Sequence, residues 1–164
     1  MQLIAEKKSQ SDKYDRLRFV RQDGTSTECP MPRQGILPHD LIHYVVESAL
    51  PLQHGFISQL ARGAEAQFVM DAIHDAKNQD VETEAVQAEA IVEGLQSQLW
   101  SGAFDRDYFM DGAASACTAR GKTPFDFSRV AADLPETLFQ RVLELNQRWL
   151  AVPFYGSLEL QFKA

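Results

Sequence analysis

Hydrophobic positions change their period along the chain. Tyr14 to Arg21 alternates Leu17 and Phe19 against Arg16, Arg18 and Arg21, and Asp23-Gly24 supplies a turn before a β-favouring return over Thr25 to Cys29. With an earlier strand from Leu3 to Lys8, this predicts an antiparallel meander with strands over about residues 2–8, 14–21 and 25–29. Cys29-Pro30-Met31-Pro32 is expected to end pairing, because proline has no amide hydrogen to give to a ladder.

From Pro38 the apolar spacing lengthens to three and four. Leu41, Ile42, Val45, Val46, Ala49 and Leu50 make one face of a helix that stops at Pro51. Phe56, Ile57 and Leu60 mark a short helical segment before Gly63, and Phe68, Val69, Ala72 and Ile73 mark another from Ala66 to Ala76. Val81 to Leu99, rich in Ala and Glu, carries a long amphipathic pattern ending at Trp100-Ser101-Gly102. Asp105 to Arg120 has Tyr108, Phe109, Ala113, Ala116 and Cys117 on one side, with Gly121 as its stop. Asp133-Leu134-Pro135-Glu136 has the parts of a helix start, and Leu138, Val142, Leu145, Trp149 and Leu150 carry that helix toward Pro153.

After Gly156, alternation returns with Leu158, Leu160 and Phe162, predicting a last strand over about residues 157–163. Strands at both ends with helices between about residues 38 and 150 imply an α+β arrangement. The N-terminal meander is joined by the C-terminal strand, and one face is covered by about five helices. Its 164 residues fit one domain, 1–164, large enough to bury a core without a disulfide or structural metal.

Charge and cysteine usage narrow the classes. Acidic side chains outnumber basic ones 23 to 16, for a formal charge of -7, so the surface repels phosphate backbones and nucleic acid is not an expected partner. No run approaches the roughly 18 apolar residues of a membrane span. The opening Met1-Gln2-Leu3-Ile4-Ala5-Glu6 is too short an apolar stretch for a secretory signal, so the expected address is the cytoplasm, where Cys29 and Cys117 stay reduced.

One segment carries candidate chemistry. His39 and His43 lie four apart at the start of the first predicted helix, and Glu47 continues the row. At about 100° per residue, His43 stands near 40° from His39 and Glu47 near 80°, beside an apolar arc running from about 200° round to 20°. Two imidazoles one turn apart can reach a single divalent ion such as Zn, Fe or Mn, with Glu47 or His54 completing the ligand set. Asp40 occupies the slot that a glutamate general base fills in His-Glu-x-x-His zinc peptidases, one methylene shorter. The plainer alternative has His39 and Asp40 decorating a helix N-terminus while His43 packs at the core edge. His74, with Asp71 and Asp75, reads as a polar helix face. Arg120-Gly121-Lys122-Thr123 lacks the upstream glycine spacing of a phosphate loop.

A second stretch, Phe104 to Phe127, interleaves aromatics with acids, and Tyr108, Phe109 and Asp111 are the candidate lining of a small-ligand pocket. The Val81 to Leu99 helix, with its Ala-rich face, is a candidate contact for a homo-oligomer. Two functional classes follow. The first is a soluble protein that binds a small molecule or a protein partner. The second is a divalent-metal-dependent hydrolase using His39 and His43 as ligands and Asp40 as base.

Gly35-Ile36-Leu37-Pro38-His39-Asp40-Leu41-Ile42-His43-Tyr44-Val45-Val46-Glu47, followed by Gly55-Phe56 and Gly63-Ala64, resembles a run in small bacterial proteins of unassigned biochemistry. The resemblance covers about residues 35–66. It implies a bacterial cytoplasmic protein and leaves the metal question open.

Overall fold

A computed structural model describes residues 1–163. Its order is β1 (Gln2–Glu6), β2 (Tyr14–Val20), β3 (Ser26–Pro32), α1 (His39–Ala49), α2 (Phe56–Ala61), α3 (Ala66–His74), α4 (Thr83–Ser101), α5 (Arg106–Ala119), α6 (Leu134–Ala151) and β4 (Ser157–Gln161). A single 3-10 turn lies at Phe127–Arg129. The four strands form one antiparallel sheet in the order β3-β2-β1-β4. This is the expected α+β arrangement, with the C-terminal strand completing the N-terminal meander.

Alternation decides which face of the sheet is covered. Leu3, Ala5, Leu17, Phe19, Cys29, Met31 and Leu160 point to one side and are buried under the helices, while their neighbours carry the charged side chains. The β2–β3 turn closes where expected, with Gly24 at φ 84° and the Arg21 amide donating to the Thr25 carbonyl at 2.9 Å.

β3 departs from expectation by running through Pro30 to Pro32. The Arg33 amide donates inward to the Lys13 carbonyl, so the even-numbered residues Pro30 and Pro32 turn their nitrogens outward. β3 is an edge strand, and on its open side a missing N–H costs nothing. A buried ion pair then fixes this end: Asp15 takes two donors from Arg33, at 2.6 and 3.0 Å.

The helical expectations hold to within a few residues. Pro38 stands just before α1, and α4 ends at Gly102 in the left-handed conformation. At α6 the expected capping glutamate does not turn back; Glu136 pairs instead with Arg106 at 2.6 Å. Among the described residues there are six α-helices, the short α2 included, against the five or so expected.

α1 lies against α4, α6 and α2, so Asp40, His43 and Glu47 are buried together with its apolar residues. α4 is in turn wrapped by α1, α5 and α6. Gly94 lets α5 approach closely, since a Cβ there would stand 3.0 Å from the Phe109 ring. The Gly94 side of α4 is therefore covered by α5 of the same chain.

Candidate metal centre

Three helices bring three histidines together around the buried carboxylate of Glu89. α1 contributes His39 and His43 one turn apart, with ring centroids 5.0 Å apart. α3 ends on His74, and α4 carries Glu89 in its first half, between Ala85 and Val92 on the helix's buried stripe. Glu89 Oε1 lies 3.2 Å from His39 Nε2 and 3.4 Å from His74 Nε2, while Oε2 lies 3.0 Å from His43 Nε2.

These contacts are of two kinds. His43 is a hydrogen-bonded ion-pair partner. Glu47 Oε1 accepts from the Ile57 amide and from His43 Nδ1–H, both at 3.1 Å, and Glu47 Oε2 accepts from the Ser58 amide at 3.1 Å. With Nδ1 donating to Glu47 and Nε2 donating to Glu89, His43 is an imidazolium between two carboxylates. Burial alone would push its pKa down, but the bonds to Glu47 and Glu89 outweigh this and hold it up at about 10. Gly55 makes the arrangement fit, because a Cβ there would come within 2.3 Å of Glu47 Oε2.

His39 behaves differently. The Gln34 side-chain amide donates to the Leu37 carbonyl, so Gln34 Oε1 faces Gln96 Nε2 and accepts from it at 2.7 Å. Gln96 therefore offers its Oε1 to His39 Nδ1–H, at 2.9 Å. The proton of a neutral ring is thereby fixed on Nδ1, and Nε2 presents a lone pair toward the Glu89 carboxylate. Consistently, His39 Nε2 is buried without a hydrogen-bond partner, although Glu89 Oε1 is close. Two lone pairs facing each other repel unless a cation stands between them.

The metric fits such a cation. Ligands at about 2.0–2.1 Å from a tetrahedral zinc lie about 3.3–3.4 Å apart. The two Nε2 atoms stand 3.2 and 3.4 Å from Glu89 Oε1, and the three donor atoms lie within 4.8 Å of one another. Carboxylates dominate the surroundings: Asp40, Glu47 and Glu89 are all under 10% exposed, against one imidazolium. Burial would raise Glu89, yet the hydrogen bond and positive charge of His43 help to hold the carboxylate below its ordinary range. Glu89 in turn raises His74. Burial raises Asp40, against the pull of the His43 imidazolium.

The centre opens onto a cleft of about 480 Å³, whose walls include Pro32, Met70 and Ile73 and whose rim includes Glu93 and Arg120. Asp40 lines this cleft beside His39.

Among the residues expected from sequence, the fold brings His39, His43 and Asp40 together. Glu47 lies behind His43, both of its oxygens bonded to α2 amides. His54 is apart, bonded through Nδ1 to Glu84 at 3.1 Å at the N-terminal end of α4. Of the aromatic set, Phe109 is buried against Phe104 and Phe127, whereas Tyr108 and Asp111 face solvent. Sequence reasoning missed His74 and Glu89. Glu89 carried a signal, a charge on the apolar stripe of α4; His74, a half-exposed residue at a helix end, carried none.

Comparison of the chain with protein-family models, with curated proteins and with solved structures returns no match.

Proposed function

We propose that this protein is a divalent-metal-dependent hydrolase acting on a small substrate, with His39 Nε2, His74 Nε2 and Glu89 Oε1 as metal ligands. The observation that carries the reading is the pair of nitrogen–oxygen separations, 3.2 and 3.4 Å, with the buried His39 Nε2 lacking a hydrogen-bond partner. Two imidazoles, one carboxylate and an open side are the donor set of catalytic zinc sites and of mononuclear iron sites. A bound dication would lower the pKa of its water and polarise a carbonyl.

The remaining roles belong to the chain. Gln34 and Gln96 set the His39 tautomer, and His43 holds Glu89 through Oε2 so that Oε1 is left for the ion. Asp40, in the cleft beside His39, is the candidate acceptor of the water's proton. The reading of a binding protein built on Tyr108, Phe109 and Asp111 has less support, since one of the three is core and two face solvent. Among the described residues no helix is long and apolar enough to cross a membrane. We assign the protein to the cytoplasm on its two free, buried cysteines.

Metal analysis of tag-free protein tests the first step, with about one equivalent of Zn, Fe or Mn expected and a rise in thermal stability on adding it. Less than about a tenth of an equivalent, with no stabilisation, removes the proposal. The hydrolytic step is read on a panel of p-nitrophenyl esters and anilides. Asp40→Asn should keep the metal and lose turnover, and a metal-loaded wild type inert to the whole panel would leave a metal-binding protein only.

A further inference from the structure

The cleft in front of the centre has one cationic side chain with no anionic partner. Arg120, just beyond α5, is partly buried and directs Nη1–H to the Ile73 carbonyl at 2.7 Å and Nη2–H to the Asp75 carbonyl at 3.2 Å. Both carbonyls belong to the end of α3, so the guanidinium is held rigidly within one residue of His74. It forms no ion pair with any carboxylate among the described residues, while Arg16, Arg33 and Arg106 each have one. A guanidinium carries five N–H donors. Two are used here, leaving three for whatever enters the cleft.

Between Arg120 and the centre the walls are apolar. Pro32, Met70, Ile73 and Ala76 line the cleft, and its volume of about 480 Å³ lies within the range of small-molecule sites, roughly 300–1,000 Å³. The competing charge is Glu93, one turn beyond Glu89. It is exposed and lines the cleft on the same helix as Glu89, so an anionic ligand must seat on the Arg120 side of the cleft.

We propose that the substrate is a small molecule with an apolar middle and an anionic end, a carboxylate or a phosphate, with the anion held by Arg120 and the hydrolysed carbonyl at the His39–His74–Glu89 centre. This rests on the metal reading above. The forked donors of a guanidinium fit the two oxygens of a carboxylate or phosphate, and a pinned arginine loses little freedom on binding one.

Three series of alkyl hydroxamates with about two to six methylenes, ending in a methyl, a carboxylate or an amine, separate the two ideas, because the hydroxamate group chelates zinc and the far end probes the rim. On zinc-loaded wild type, at one chain length, the carboxylate-ended probe should bind about tenfold or more tighter than the methyl-ended one. Arg120→Gln, compared with wild type at equal zinc content, should reduce that advantage to within about twofold. Arg120→Lys, which keeps the charge without the fork, should retain part of the advantage and serves if Arg120→Gln does not fold. An advantage untouched by Arg120→Gln, equal loss for both probes, or tighter binding of the amine series would overturn the assignment. If the protein takes up no zinc, or no hydroxamate reaches the zinc it holds, the open metal centre fails. Arg120 is then judged on hexanoate against hexanol with zinc-free protein, where a preference lost in Arg120→Gln sustains the anion site and no preference removes it.

Discussion

Removal of the His74 imidazole is the cleanest perturbation of the centre. His74 is half-exposed at the end of α3, and its Nε2 lies 3.4 Å from Glu89 Oε1. His74→Ala should therefore cost metal-free protein only about 1 kcal/mol, the upper scale for an ion pair with a solvent-exposed partner. Its effect on the ion should be large. Losing an outer partner of a ligand typically costs 10–100-fold in metal affinity, so losing a ligand should cost at least about 100-fold. At zinc concentrations about 100 times the wild-type Kd, the ion adds about 2.7 kcal/mol to wild type; in the variant the same concentration equals its Kd and adds about 0.4 kcal/mol. For a domain of this size 1 kcal/mol corresponds to about 2–4 °C in Tm. Zinc should then raise the wild-type Tm by about 5–11 °C and that of His74→Ala by about 1–2 °C. Differential scanning calorimetry with chelator-treated protein and stepwise zinc reads both numbers. An equal zinc shift in the two proteins would locate the ion elsewhere, and a flat wild-type response would remove the site.

Three other outcomes follow from the network behind the ligands. In metal-free protein His43→Ala should destabilise by about 3–5 kcal/mol in urea unfolding, since it leaves Glu47 and Glu89 buried without their shared cation; a loss under about 1 kcal/mol would contradict the ion-pair assignment. The pKa of His43 is raised in the fold from 6.5 to about 10, so its contribution is fully present below 6.5 and disappears as pH rises through about 10. Chelator-treated wild type should thus lose stability across that alkaline window, and His43→Gln should flatten the decline. Gly55→Ala forces a methyl against Glu47 and should cost about 1–3 kcal/mol, whereas Gly112→Ala, at a site with open space, should be neutral or slightly stabilising by the same unfolding assay.

Sequence periodicity determined the architecture, because the periods of two and 3.6 are local properties of the chain. Leu17 and Phe19 against their arginines, the Val81–Leu99 stripe and the Leu158–Leu160–Phe162 alternation each encode an element and the face it buries. The course of β3 through Pro30 and Pro32 was hidden only because its place at the sheet edge depends on the other three strands. The helical spacing also set His39 beside His43.

What that spacing could not contain was the partner of the pair. His74 and Glu89 lie 35 and 50 positions beyond His39 (74 minus 39, and 89 minus 39), and only the packing of α3 and α4 on α1 brings them to it. The same packing reassigned Glu47 and His54, since oxygen and nitrogen atoms bond to the nearest donors and acceptors in space: Glu47 found the amides of α2, and His54 found Glu84. Local physics wrote the helices and strands; the convergence of imidazole, carboxylate and lone pair on one point is a property of the assembled core.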